Sequence, residues 1–187
     1  MKLSGDQYDF IENEVCKVLS YCKVSGVPID PFAIINCFPE IILVPYSSFN
    51  ESKWDILKKY SNDGFSMEKN HRWYIYYNDM LPCKERIKQT LMHEFAHFHL
   101  GHKILEIGVV DEISESEAKY FAKYILAPTP LIGILLEDTT ELSIKKTFNI
   151  SYEASSIAMS NYMKRRLYGS KNYKNYELKI IEQFNVA

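Results

Sequence analysis

Apolar positions along most of this chain recur at the three-to-four-residue spacing of a helix face. The exceptions are a few short, continuous runs. From residue 4 onward, Tyr8, Ile11, Val15, Val18 and Cys22 share one face. Ser4-Gly5-Asp6-Gln7 ahead of them reads as a capping box, and Gly26 and Pro28 mark where that helix is expected to end. Residues 31–38 predict a short helix. Ile41-Ile42-Leu43-Val44, bracketed by Pro39 and Pro45, predicts a buried strand. Residues 54–60 predict a helix, and 65–67 and 72–77 predict strands paired about a turn near Asn70.

A proline-free helical stretch runs from Glu85 to Gly101, where Ile87, Leu91, Phe95 and Phe98 line up at i, i+4, i+8 and i+11. A second helix opens in Asp111-Glu112-Ile113-Ser114 and is stopped by Pro128, with Ala118, Phe121, Ala122 and Ile125 as its buried stripe. Residues 139–148 and 151–167 form two more helices about a turn at Asn149-Ile150. The order α-α-β-α-β-β-α-α-α-α implies an α+β domain with a small mixed or antiparallel sheet beside the helix at 85–101, followed by a helical C-terminal region. The 187 residues, 47% of them hydrophobic, suffice for one core, so residues 1–187 are expected to form a single domain. Residues 168–187 are open to three readings: a tail, a final helix or a docking arm.

The chemistry lies in His93-Glu94-Phe95-Ala96-His97. At ~100° per residue, positions i and i+4 share a helix face, so two imidazoles can grip one metal ion at Zn–N distances of about 2.0–2.1 Å. Both histidines lie off the apolar stripe, which packs the helix and turns them toward a cleft. Glu94, beside them, is placed to accept a proton from an attacking water. His99 and His102 would sit roughly 140° and 160° around a continuing helix and cannot join that metal. With His71 they are expected to be structural, His102 packing or hydrogen-bonding near the helix end.

Two histidines leave a catalytic zinc one protein ligand short. The following helix offers Glu115 and Glu117, which stand ~200° apart and cannot both face the metal. Helix geometry favours Glu115 only weakly, and either acid also suits the first turn of a helix.

Arg86-Ile87-Lys88-Gln89-Thr90-Leu91-Met92-His93-Glu94-Phe95-Ala96-His97, then Gly101-His102, then Glu115-Ser116-Glu117-Ala118-Lys119-Tyr120-Phe121-Ala122-Lys123-Tyr124-Ile125-Leu126-Ala127-Pro128 resembles the ImmA/IrrE family of metallo-endopeptidases. The likeness takes in the strand at 72–77 and covers roughly residues 30–165. It implies a zincin-like domain with one zinc ion per chain, ligands His93, His97 and Glu115, and Glu94 as catalytic base. It also implies a protein substrate of the helix-turn-helix repressor class, from a mobile element or stress circuit. Lys119 stands where Asn or Asp is common in the family, and Ala127 where Met is common; neither is a proposed ligand. The strand at 72–77, just ahead of the metal helix, is expected to offer an edge to an extended peptide. The alternative is that Trp73, Tyr74 and Tyr76 are ordinary strand aromatics.

Charge and composition narrow the field. The formal net charge is −2, and the N-terminus carries no apolar signal segment. No apolar run approaches the ~20 residues that span a bilayer. A cytoplasmic, soluble protein is expected. Cys16, Cys22, Cys37 and Cys83 match neither a C-x-x-C nor a zinc knuckle, so four reduced thiols are expected. Residues 141–187 hold eight Lys/Arg against four Asp/Glu. That modest excess, with a helix-turn-helix-like subregion at 139–167, is the basis for a DNA-binding reading. Lys164-Arg165-Arg166 falls at a helix end where basic residues are expected anyway, so packing or substrate docking is favoured over nucleic acid. A metal-binding regulatory module that holds a partner without proteolysis is the remaining alternative, and a pure binding site has no use for Glu94. Among 14 tyrosines, none can be singled out as an oxyanion donor.

Overall fold

The computed structural model describes residues 2–103, 111–169 and 172–185. Its elements in chain order are α1 (Gly5–Tyr21), α2 (Pro31–Ile35), β1 (Ile41–Pro45), α3 (Trp54–Tyr60), β2 (Gly64–Lys69), β3 (Arg72–Tyr77), α4 (Lys84–His99), α5 (Glu112–Leu126), α6 (Thr129–Leu135), α7 (Glu141–Phe148), α8 (Tyr152–Tyr168) and α9 (Asn175–Asn185). The fold is α+β. Two compact units emerge, one of residues 1–3 and 31–122, the other of residues 4–30 and 123–187.

The first unit is built on a three-stranded sheet of order β1-β3-β2. β1 runs parallel to β3, with Leu43 opposite Ile75. β2 runs antiparallel to β3, with Ser66 opposite Ile75 and Gly64 opposite Tyr77. Asn70 and His71, both at positive φ, form the two-residue hairpin between Lys69 and Arg72. Two successive left-handed residues are what a type I′ turn demands, so His71 serves the turn.

Strand alternation gives the sheet two apolar faces. On one, Phe65 stacks on Tyr76 at 4.9 Å and joins a cluster with Tyr46 and Leu57. On the other lies α4. Its stripe is buried at Ile87, Leu91 and Phe95, the last two at 0% exposure, and half-buried at Phe98. Phe38 meets Phe95 at 5.0 Å, Trp73 meets Phe98 at 5.8 Å, and Phe121 of α5 meets Phe95 at 6.0 Å. Each such side chain contributes ~1.5–3 kcal/mol on burial, enough to set the rotation of α4 about its axis.

Two expectations change here. β3 is the middle strand, bonded on both sides, so it offers no edge to a peptide. Trp73, Tyr74 and Tyr76 are strand aromatics, and among the described residues the edges of the sheet are β1 and β2. α1 ends at Tyr21 rather than at Gly26 and Pro28. Lys23 takes the left-handed position (φ 53), while the Lys23 and Val24 amides donate to Ser20 and Leu19. This is a Schellman turn without its usual glycine, which is why the sequence hides it.

In the second unit, α1 starts on the Ser4/Gln7 capping box and α7 on a Thr140/Ser143 box. Asn149 (φ 50) makes the predicted turn between α7 and α8. α6 and α9 extend the predicted order. Of the C-terminal residues, Asn175–Asn185 form the helix α9, in which Glu177 is fully buried against Arg165. Arg165 Nη2 donates to Glu177 Oε2 at 2.8 Å, and the Lys174 amide donates to the same oxygen at 2.7 Å. A buried carboxylate persists only when so paired. Gln183 of α9 donates to the Leu19 and Val24 carbonyls at the end of α1. Cys16, Cys22, Cys37 and Cys83 are all free. Among the described residues, no helix is long and apolar enough to cross a membrane.

The contact that seats α4 is testable. A Cβ on Gly64 would lie 2.7 Å from Thr90 Cγ2 and 2.7 Å from the Tyr76 carbonyl oxygen. Gly64→Ala is therefore expected to cost ~1–3 kcal/mol in urea unfolding, and Thr90→Ala in the same chain to recover part of it. Strictly additive losses would show that helix and strand do not meet there.

Candidate metal centre

α4 presents His93 and His97 on one face, and α5 brings Glu115 to them. The Asp111 carboxylate fixes the start of α5, accepting from the Ile113 and Ser114 amides at 3.0 Å each and from Ser114 Oγ at 2.6 Å. Those bonds hold the Asp111 carboxyl below the usual carboxylate range, the Ser114 hydroxyl contributing most. One turn later Glu115 points at the imidazoles.

His93 Nε2 lies 3.2 Å from His97 Nε2, and Glu115 Oε1 lies 3.6 and 3.5 Å from them respectively. A tetrahedral zinc with ligands at 2.0–2.1 Å separates neighbouring donor atoms by about 3.3–3.4 Å. The three atoms are spaced as three donors to one such ion would be. Two imidazoles and one carboxylate are a donor set suited to zinc.

Glu115 is prepared for that role. His93 first, then His97, and then the Lys119 ammonium 3.0 Å from Oε2, hold its carboxyl well below the usual carboxylate range against the cost of burial. A carboxylate binds a metal in its charged form, which these contacts favour. Lys119 engages one oxygen and leaves the other to the histidines.

The residues the sequence singled out divide cleanly. His93, His97 and Glu115 come together as a group able to hold a metal. Glu117 does not join them; its Oε2 lies 3.1 Å from His102 Nε2. His99 is a packing residue, stacked on Phe95 at 5.6 Å and close to Phe121 at 5.7 Å. His97 is only 2% exposed, and the His93 side chain 18%.

Two features escape sequence reasoning. Ser66 of β2, itself 2% exposed, donates to Glu94 Oε2 at 2.7 Å. The only signal for it is a polar residue at the inward-facing position two after Gly64. The second is His102. The helix does not continue past His99: Gly101 takes φ +68, its amide donates to Phe98 and the His102 amide donates to His97. This Schellman turn folds the chain back and sets His102 Nδ1 3.0 Å from His97 Nδ1. Burial, and then the nearby His97, keep the His102 imidazole below its ordinary pKa, partly opposed by Glu117.

A His-Glu-x-x-His helix completed by a carboxylate from the next helix is the arrangement of a metallopeptidase. The family comparison agrees: the chain belongs to the IrrE N-terminal-like domain family of peptidases, whose model matches residues 42–160. That span contains α4, α5 and nearly all of the sheet. No curated protein and no solved structure matches the chain.

Ser66→Ala should reveal how firmly the sheet holds Glu94. The buried carboxyl would lose its donor, and stability is expected to fall by ~1–3 kcal/mol. An unmoved urea midpoint would mean that the Ser66–Glu94 bond contributes nothing to the folded state.

Proposed function

We propose that the protein is a zinc-dependent endopeptidase with one zinc ion held by His93, His97 and Glu115 and with Glu94 as general base. The observation that carries this reading is the spacing of the three donor atoms, 3.2, 3.5 and 3.6 Å apart, with Glu94 on the same helix as two of them. Zinc, when bound, would polarise the scissile carbonyl and bring the pKa of water toward ~7.

The chain's own residues do the rest. Glu94 accepts a proton from the water whose oxygen attacks the carbonyl carbon, then delivers it to the amide nitrogen as the C–N bond breaks. Ser66 holds Glu94 Oε2 and leaves Oε1 for the proton. Among the described residues, β2 pairs only with β3, and its inward residue Ser66 touches Glu94. An extended substrate added along β2 would therefore run beside the base. Resemblance to the ImmA/IrrE family supports an intracellular regulatory protein of the repressor class as the substrate, with residues 1–187 acting as one peptidase domain in the cytoplasm.

Elemental analysis and a proteome-derived peptide library test the reading together. The wild type is expected to carry close to one zinc per chain and to generate new peptide termini detectable by mass spectrometry. Glu94→Gln should keep the zinc and lose cleavage by at least ~100-fold, the lower end of what a positioned general base contributes. Glu115→Ala should lose the zinc. Undiminished cleavage by Glu94→Gln would end the assignment of the base.

A further inference from the structure

Glu117, His102 and His97 form a continuous chain that ends on a proposed ligand atom. Its geometry dictates where the protons sit. His97 Nε2 faces His93 Nε2 and Glu115 Oε1, at 3.2 and 3.5 Å. To serve as a ligand that nitrogen must be bare, which puts the ring proton on Nδ1. His97 Nδ1 faces His102 Nδ1 at 3.0 Å. Two ring nitrogens this close share one proton, so His102 Nδ1 accepts and the His102 proton lies on Nε2. That nitrogen faces Glu117 Oε2 at 3.1 Å, an acceptor. Each member thus has one role consistent with both neighbours.

The chain is also shielded. The side chains of His97, His102 and Glu117 are 2%, 6% and 19% exposed. Water competes weakly for such bonds, and each is worth correspondingly more. The backbone supplies the rest: the Gly101 turn fixes His102, whose amide donates a hydrogen bond to the His97 carbonyl at 2.9 Å.

We propose that His102 and Glu117 are positioning residues that lock His97 in the Nδ1–H tautomer, holding Nε2 bare and aimed at the metal. Neither touches the metal. The proposal rests on the reading of His97 as a zinc ligand. It assigns separate tasks to the two acids at the start of α5: Glu115 binds directly, and Glu117 acts through His102. Partners of this kind typically govern metal affinity by about 10–100-fold.

The test uses the full chain. Zinc is titrated against a competing chromophoric chelator, and nitrogen-15 NMR reads the protonated ring nitrogen of His97 in the metal-free protein. The wild type is expected to take up one zinc and to show the His97 proton on Nδ1 before any metal is added. His102→Ala and Glu117→Ala should each keep a stoichiometry of one but bind about 10–100-fold more weakly. The double variant should lose no more than His102→Ala alone, because the two act in series. Glu117→Gln, which keeps an acceptor for His102 Nε2–H, should recover much of the affinity; a purely structural disturbance would not follow the acceptor in this way. Circular dichroism of each metal-free variant identifies any that fails to fold, and for these Glu117→Gln and the wild-type tautomer still decide. Zinc binding unchanged in folded Glu117→Ala and His102→Ala, or a His97 proton on Nε2 in the metal-free wild type, would overturn the relay while leaving the metal site standing. A wild type that takes up no zinc would overturn the relay and the metal reading together.

Discussion

The site depends on the rotational setting of α4 against the sheet. A helix turned by a single residue swings every side chain by ~100°, which would remove His93 and His97 from Glu115 and Glu94 from Ser66 at once. What prevents this is a contact made on both flanks. Leu91 and Phe95 are fully buried, with Phe38 on one side of Phe95 and Phe121 of α5 on another. Thr90 rests where only a glycine, Gly64, leaves room. Apolar packing fixes the phase, and the polar residues between the packed ones then have no choice of direction.

The two ends of α4 are secured by different means. Near its start Arg86 donates to Asp63 Oδ2 through Nε and Nη2 at 2.9 and 2.8 Å, tying the helix to the loop that leads into β2. Its exposed guanidinium makes this worth little as an isolated ion pair, so its effect is one of register. At the other end Gly101 terminates the helix in a left-handed turn. The motif residues outside the His-Glu-x-x-His segment thus acquire physical roles: Arg86 and Thr90 seat the helix on β2, and Gly101 turns the chain so that His102 meets His97.

Local periodicity explains what could be read from the sequence. The stripe Ile87-Leu91-Phe95-Phe98, the stripe Ala118-Phe121-Ala122-Ile125 and the Asn70 hairpin each follow from spacing or turn chemistry within a dozen residues. The i, i+4 relation of His93 and His97 is equally local. The choice between Glu115 and Glu117 was not, because it depends on how α5 lies against α4, and helical angles alone left both open. The rank of β3 in the sheet was not legible either. Strand order is a long-range property, and an aromatic run such as Trp73-Tyr74-Ile75-Tyr76 suits a central strand and an edge about equally. Ser66 escaped notice for a related reason: nothing within β2 says that a glutamate 28 positions later will face it.

His102 shows most clearly where reasoning along a periodic helix fails. Carried forward at ~100° per residue, position 102 points away from the metal, and on those terms it has nothing to do with the site. One backbone event reverses that conclusion. Gly101 adopts a conformation that costs other residues roughly 1 kcal/mol or more, and the following residue is returned toward the helix axis instead of circling it. A terminator is usually read as the end of an element's contribution. Here the terminator adds the partner of a proposed ligand, so the function of the helix extends past its last hydrogen-bonded turn. Glu117 shares in this: its helical position turns it away from Glu115, and that same divergence lets it reach His102. Two acids that cannot both bind a metal directly can both serve it, provided the backbone supplies an imidazole between the second acid and the site.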